Sequence, residues 1–253
     1  MTVSRDDILA FLDRELEIAR FRDYGPIGLQ VAGRDEVDRV ALAVSSTLEV
    51  FEAAALFEAD LLLVHHGLFW DGDSRVVDDL MRRRLEVLFR AGMSLAAYHL
   101  PLDAHRELGN NAQLARVLGV AVEDWFMDER GAPIAARGRF LQPISLDELT
   151  RRVEQETGRT PLALPGGPDP IRSIGICSGG AARGIRGAAA LGLDAWLSGE
   201  PSEDSRALAA ELGISFIAAG HYATETFGVR ALGRELEERF GVETTFVDVA
   251  NPV

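Results

Sequence analysis

Residues 59–67 have the sequence Ala-Asp-Leu-Leu-Leu-Val-His-His-Gly, which predicts a buried strand that ends in two adjacent histidines. The apolar run at 61–64 is typical of a strand covered on both faces by helices. In open α/β sheets, ligands bind beyond the carboxyl ends of the strands, which is where His65 and His66 lie. This stretch therefore indicates both a fold class and the position of a site.

The rest of the chain repeats this pattern of short strands followed by helices. Further apolar runs predict strands at residues 40–44, 94–99, 137–141, 171–177, 195–198, 215–219 and 244–249. Segments with helical periodicity lie at residues 6–20, 48–58, 76–91, 111–118, 146–157, 181–191, 203–212 and 224–240. Regular alternation of this kind predicts an α/β fold with mixed sheets flanked by helices.

Changes in composition predict two lobes. Residues 128–139 are polar and contain two glycines and a proline, which places the boundary between an N-terminal α/β lobe at 1–128 and a C-terminal α/β lobe at 129–253. Residues 161–170 hold four prolines and two glycines, and they predict a loop inside the second lobe.

The composition excludes several classes of chemistry. All 26 cationic residues are arginine, so the chain has no lysine for a Schiff base or a phosphate-binding loop. Its one cysteine cannot form an intramolecular disulfide or an all-cysteine zinc site. A formal charge of −14 opposes non-specific nucleic-acid binding. Without a recognisable signal peptide or apolar span, we expect a soluble, cytoplasmic protein with no membrane partner.

The adjacent histidines are the strongest functional signal. Consecutive residues of a strand point to opposite faces, so His65 and His66 can face one metal only if the chain leaves the pleat, as Gly67 permits. Alternatively, each serves a different ion of a pair about 3.5–4 Å apart. They can also be a core histidine followed by an exposed one, but two together after a buried strand favour metal binding.

The next candidates lie in the sequence His99-Leu-Pro-Leu-Asp103-Ala-His105. Pro101 argues against a helix across this segment, so we expect a turn that carries His99 and Asp103. Asp103 is either a carboxylate ligand or a turn residue that caps the backbone. We interpret His105 as exposed and not ligating.

The last group is Gly220-His221-Tyr-Ala-Thr-Glu225. Residues four apart share one face of a helix, so His221 and Glu225 can act together, and a carboxylate can bridge two cations. Alternatively, Glu225 is an acid favoured by the helix dipole and His221 is incidental. The imidazoles and carboxylates together form a nitrogen and oxygen donor set that suits zinc, iron, manganese or nickel.

Three other features allow a functional and a structural interpretation. Gly179-Gly180 is either a phosphate-cradling turn or, as we favour, a plain connection between a strand and a helix. Glu200 either reaches the site or is an ordinary acidic turn residue. Cys177 follows an apolar strand, and we expect a buried small hydrophobe and not a nucleophile.

These motifs resemble those of the NIF-three-like (Ngg-interacting factor three-like) family, whose members carry the name type-two GTP cyclohydrolase I homologue. The matching stretches occur in family order: Gly25-Pro-Ile-Gly-Leu-Gln-Val-Ala-Gly33, Leu63-Val-His-His-Gly-Leu-Phe-Trp70, His99-Leu-Pro-Leu-Asp103, Gly175-Ile-Cys-Ser-Gly-Gly180, Leu197-Ser-Gly-Glu200, Gly220-His-Tyr-Ala-Thr-Glu225 and Asn251-Pro252. They span essentially the whole chain, which is most similar to the short bacterial members.

The resemblance implies a NIF-three-like fold of two intertwined α/β lobes, with a two-metal site between them, and assembly into a toroidal homohexamer. The metal ligands that it implies are His65, His66, Asp103, His221 and Glu225, with Glu225 as the bridging ligand. It places His99 beside the site without ligating. The chain departs from many relatives at Ser45-Ser46-Thr47, where they have an aspartate.

The functional hypothesis is a metal-dependent hydrolase that activates a water between two divalent ions and acts on an unknown small molecule. His99 or Tyr222 is the candidate for orienting or protonating a leaving group. The sequence shows no recognisable guanine or triphosphate pocket. The alternative hypothesis is a non-enzymatic metal-handling or partner-binding ring scaffold.

Overall fold

The computed structural model describes residues 2–253, which form an α/β fold with mixed sheets, as predicted. The strands are β1 (Val3–Ser4), β2 (Gly28–Val31), β3 (Glu36–Val37), β4 (Arg39–Ser45), β5 (Leu61–His66), β6 (Ser94–Ala97), β7 (Val120–Glu129), β8 (Ala132–Ile144), β9 (Leu162–Leu164), β10 (Ile171–Cys177), β11 (Ala195–Ser198), β12 (Ser215–Ala218) and β13 (Glu243–Phe246). The helices are α1 (Arg5–Glu15), α2 (Leu48–Leu56), α3 (Asp79–Ala91), α4 (Leu100–Ala104), α5 (Asn110–Val117), α6 (Leu146–Thr157), α7 (Ile185–Ala190), α8 (Ser205–Leu212) and α9 (His221–Phe240). Within residues 2–253, none of the helices has the length and apolar character needed to cross a membrane.

The described chain divides into two compact units. The first contains the described residues up to Leu102 together with Val229–Ala250, and the second contains Asp103–Gly228 and Asn251–Val253. The polar segment near residue 130 is the turn of a hairpin between β7 and β8, in which Glu129 pairs with Ala132, and it lies inside the second unit. The division into lobes at residues 128 and 129 stays a prediction from composition.

The first unit is built on a five-stranded sheet with the order β13-β4-β5-β6-β2. Strands β13, β4, β5 and β6 are parallel, and β2 is antiparallel to β6. Buried apolar residues of β4, β5, α2 and α3 fill the core beside this sheet. Because β5 and β6 are parallel neighbours, their carboxyl ends lie at the same edge, and the residues that follow them come close together.

The second unit is built on a six-stranded sheet with the order β7-β8-β10-β11-β12-β9. Strands β10, β11 and β12 are parallel, and β8 and β9 are antiparallel to their neighbours. The carboxyl ends of the three parallel strands therefore share one edge. The segments that leave this edge are 178–180, 199–200 and 219–221, which contain several of the predicted site residues.

The segment that follows β6 differs from the prediction. We expected a turn there because of Pro101, but residues 100–104 form the short helix α4. Pro101 lies in the first turn, where no N–H is needed for a helical bond and where its fixed φ suits the helix. The prediction of a turn was wrong, and Asp103 is consequently a buried helical residue.

Candidate metal site

In the first unit, His65 and His66 end β5, and their rings lie side by side. The ring centroids are 4.8 Å apart, although the two residues are consecutive in one strand. His65 is fully buried, whereas His66 is partly exposed at the last position of the strand. Because the strand stops at His66, its side chain is released from strict alternation, and both imidazoles face the same region.

A backbone hydrogen bond orients His65. Its Nδ1 lies 3.0 Å from the carbonyl oxygen of Tyr98, the residue that follows β6. A carbonyl only accepts, so Nδ1 carries the proton, and in the neutral ring the Nε2 atom carries the lone pair. Metal-binding histidines commonly have this arrangement, with one nitrogen held by the protein and the other directed to the ion.

His99 lies next to these two histidines and is held by Asp23. The Nδ1 atom of His99 is 2.8 Å from Asp23 Oδ1, and its ring centroid is 5.0 Å from that of His65. Burial raises the pKa of Asp23. The hydrogen bond and charge of His99, together with backbone N–H donors, outweigh this effect and lower that pKa below its usual value.

The three histidines form one group that can hold a metal ion. One ring nitrogen from each of His65, His66 and His99 lies within 4.8 Å of the others. The group is suited to a cation because imidazole nitrogens are good donors to divalent metals, and the Nδ1 atoms of His65 and His99 are bonded to protein acceptors. His65 and His66 in this group are predicted ligands, and His99 lies next to them, as predicted.

In the second unit, His221 lies between two carboxylates at the start of α9. Its Nδ1 is 2.6 Å from Glu200 Oε1, and its Nε2 is 3.2 Å from Glu225 Oε1. The hydrogen bond to Glu225 is the main cause that raises the pKa of His221 to about 9, with a further contribution from Glu200 and opposition from burial. Two anions around one imidazole are a favourable environment for a cation.

Asp103 is the third predicted ligand in the second unit, and a buried polar network holds its carboxylate. Asn110 Nδ2 and Ser178 Oγ donate to Asp103 Oδ1 over 2.8 and 3.2 Å. Asn111 accepts from the N–H of Ser178 at 2.7 Å, and Asn110 accepts from that of Gly228 in α9 at 2.7 Å. Asn110 and Asn111 were not predicted as site residues, although two consecutive asparagines at the start of a helix were a visible signal.

The loop after β10 joins this network to the residues of α9. A side chain at Gly179 would place its Cβ 2.3 Å from Glu225 Oε1 and 3.2 Å from His221 Nε2. The N–H of Gly179 donates to Thr224 Oγ1 at 3.1 Å, one residue before Glu225. The loop connects β10 to the following helix, as we favoured, and the close contact of Gly179 with two predicted ligands means that it also constrains their positions.

The sequence comparisons identify the family of the chain. The profile described as Duf34/NIF3 (NGG1p interacting factor 3) matches residues 3–252. The chain belongs to the Duf34/NIF3 family. It is 45% identical over 252 residues to the GTP cyclohydrolase 1 type 2 homolog of Pseudomonas aeruginosa, with 100% of both chains covered.

Solved structures of NIF3 relatives confirm the fold. The protein ybgI, described as of unknown function, superposes with a TM-score of 0.94 at 38% identity, covering 99% of this chain and 100% of that one. TTHA1606 from Thermus thermophilus gives a TM-score of 0.88 at 40% identity, with the same coverage. The family resemblance predicted from the motifs is thus confirmed over the whole chain.

The remaining residues singled out in this NIF3 chain have local structural partners. Ser45 pairs with His66 across β4 and β5, and Ser46 Oγ donates to the His66 carbonyl at 2.8 Å, so the segment that lacks the aspartate supports the histidine backbone. His105 is half-buried and not exposed as predicted, because its Nδ1 turns back to accept from the N–H of Leu108 at 2.9 Å. The N–H of Tyr222 donates to the Val253 carbonyl at 3.0 Å.

Cys177 is buried at the end of β10, as expected for a small hydrophobe. Burial raises the pKa of its thiol well above the usual value, and the charges of Asp103 and Glu225 raise it further. A thiolate is therefore disfavoured at this position, and the prediction that Cys177 is not a nucleophile agrees with the structure.

Glu200 is expected to act through His221, and Glu200→Gln tests this. Loss of the charged acceptor weakens the hold on Nδ1, so metal affinity should fall about 10–100-fold. Titration of metal-free protein with zinc in the presence of a competing chelator measures the change. The matched control is Glu203→Gln, which removes an exposed carboxylate from the same loop and should leave the affinity unchanged.

Proposed function

We propose that this NIF3 protein is a metal-dependent hydrolase that holds two divalent ions with His65, His66, Asp103, His221 and Glu225. The observation that carries the proposal is the anchoring of the imidazoles. His65 and His221 each have Nδ1 bonded to a protein acceptor, and Nε2 of His221 lies next to the carboxylate of Glu225. This arrangement supports metal binding more directly than core packing, because a core histidine needs no adjacent pair of carboxylates.

The chemistry follows from the donor set. Divalent ions held there would lower the pKa of a bound water towards neutrality and polarise the bond that it attacks. The protein's own residues supply the remaining requirements. Asn110 and Ser178 orient the Asp103 carboxylate, Glu200 orients His221, and Gly179 allows Glu225 to approach closely. In this proposal Glu225 is the bridging carboxylate.

Other features of the proposal rest on family resemblance and sequence. We propose that the chain assembles into a toroidal homohexamer in the cytoplasm. We also propose that its substrate is a small molecule and that nucleic acid takes no part in its function. The name GTP cyclohydrolase 1 type 2 homolog belongs to the relatives. Sedimentation of the purified chain measures the assembly state, and a mass near that of six chains is the expected result.

The metal content tests the ligand set. Elemental analysis of the purified chain should find two divalent ions per chain, chosen from zinc, iron, manganese and nickel. Either His65→Ala or Glu225→Ala should reduce the content to one ion or fewer, since each removes a proposed ligand. His105→Ala is the control, because that histidine accepts from a backbone N–H and is not one of the proposed ligands. Unchanged metal in both ligand variants would refute the assignment.

Activity is tested separately with the metal-loaded protein. A panel of phosphoesters, nucleotides and amides, assayed with each of the four metals, should reveal at least one turned-over class. That turnover should be lost in Glu225→Gln, which keeps the side-chain shape but removes the charge. If nothing is turned over and Glu225→Gln changes the binding of a partner protein instead, the scaffold hypothesis replaces the hydrolase.

A further inference from the structure

Asp23 is a buried carboxylate that no part of the metal-binding proposal uses. Its side chain is 2% exposed, and it accepts hydrogen bonds from one imidazole and from backbone N–H groups. The donors are His99 Nδ1 at 2.8 Å, the N–H of Leu100 at 2.8 Å and the N–H of Tyr24 at 2.7 Å. The two backbone bonds fix the carboxylate to its own loop and to the start of α4, so its position relative to His99 is well determined.

The bond between Asp23 and His99 determines where the imidazole proton lies. A carboxylate that already accepts backbone N–H bonds acts only as an acceptor, and the Nδ1 atom of His99 must therefore donate. In the neutral ring the lone pair is then on Nε2. A freed imidazole can adopt either tautomer, so the carboxylate selects one of two states that differ in which ring nitrogen can accept a hydrogen bond.

The ring of His99 is also fixed in place by its neighbours. Trp70 meets it edge-on with the ring centroids 5.3 Å apart, and His66 lies on another side at 5.5 Å. The side chain is nevertheless 20% exposed, so it is not sealed in the core. A ring that is held on several sides, reaches solvent and lies beside two proposed ligands is suited to contact a molecule bound at the metal site.

We propose that Asp23 is a positioning residue that holds His99 with its proton on Nδ1, so that Nε2 accepts a hydrogen bond from the water or substrate hydroxyl used in the reaction. This inference rests on the proposed hydrolase function and gives His99 one defined role within it. The alternative role for Asp23 is only to bind the backbone N–H groups of Tyr24 and Leu100. If Asp23 only binds the backbone, no particular tautomer of His99 is required. The tautomer of His99 therefore distinguishes the positioning role from the backbone role.

The test is a long-range proton–nitrogen NMR spectrum of the full chain with ring-labelled histidine, recorded metal-free and zinc-loaded. Wild-type His99 should show a protonated Nδ1 and an unprotonated Nε2 that is not bound to zinc. In Asp23→Ala the tautomer with the proton on Nε2 should appear. Asp23→Ser is the second variant, because its shorter hydroxyl can still accept a local backbone N–H but cannot reach the imidazole.

Asp13→Asn is the matched control, since it removes a carboxylate of the same unit that bonds the Tyr98 hydroxyl and not His99. The control should leave the His99 tautomer unchanged. Zinc content should remain at the wild-type level in both Asp23 variants, while kcat on any substrate found with the panel falls at least about 100-fold with little change in KM.

The inference would be overturned by a wild-type proton on Nε2, by an unchanged tautomer in both Asp23 variants, or by direct zinc binding by His99 Nε2. Loss of zinc from the Asp23 variants would also overturn it, because the residue would then support the ligand set itself. A wild-type chain that binds none of zinc, iron, manganese and nickel refutes the proposed function instead. The metal-free spectrum still reports the tautomer in that case, so the two failures are distinguishable.

Discussion

Gly179→Ala is expected to lower metal affinity by about 100-fold, near the upper end for residues that support a ligand. The added Cβ would lie 2.3 Å from Glu225 Oε1 and 3.2 Å from His221 Nε2, so both proposed ligands must move or the loop must shift. The φ angle of +64° adds strain, since an L residue in the left-handed region costs roughly 1–2 kcal/mol. Zinc titration against a chelator measures the affinity, and thermal unfolding measures the stability.

Gly192→Ala separates the effect of backbone strain from the effect of the steric contact with Glu225 and His221. Gly192 has a similar φ of +71°, but its added Cβ would meet no atom within 4 Å. The control should therefore lose stability through backbone strain and keep wild-type metal affinity. If Gly179→Ala binds zinc as tightly as Gly192→Ala, the close approach of Glu225 to the loop has no part in metal binding.

The central strands were predictable because their sequences are continuously apolar. The predicted ranges for β10 and β11 agree with the structure at both ends, and these strands are almost wholly buried. In the two large sheets the strands β2, β7 and β9 were missed, and each lies at an edge of its sheet. An edge strand has fewer covered residues, so its apolar signal is weak, and β9 is also hidden in a proline-rich segment.

In the candidate site, the proposed ligands were predictable from the sequence and their orienting partners were not. The proposed ligands follow apolar strands or lie four apart on a helix, which are local patterns. Their orienting partners are distant, because 33 residues separate His65 from Tyr98, 76 separate His99 from Asp23 and 21 separate His221 from Glu200. A backbone carbonyl such as that of Tyr98 leaves no trace in the identity of a side chain.

The orienting partners give three histidines a common arrangement. His65, His99 and His221 are each held through Nδ1, by a carbonyl or a carboxylate. Metal-binding histidines commonly have one ring nitrogen held by the protein in this way, which supports the proposed roles of His65 and His221.

Metal affinity is expected to fall by about 100-fold between pH 8 and pH 6 through His221 alone. The metal-free imidazole has a pKa of about 9, raised chiefly by its hydrogen bond to Glu225, and it is therefore protonated at neutral pH. A cation binds the deprotonated ring, so below pH 9 binding must displace one proton. Each unit of falling pH then costs about tenfold in affinity.

Calorimetry in buffers of different ionisation enthalpy measures the number of protons released when zinc binds at about pH 7.5. Wild type should release one proton from His221 in addition to those from other groups. Glu200→Gln removes one of the two carboxylates that raise the pKa of His221, so this variant should release a smaller fraction at the same pH. Glu203→Gln, which leaves the surroundings of His221 intact, should match wild type. Equal proton release in all three proteins would mean that Glu200 does not contribute measurably to the raised pKa of His221, which would leave Glu225 as its cause.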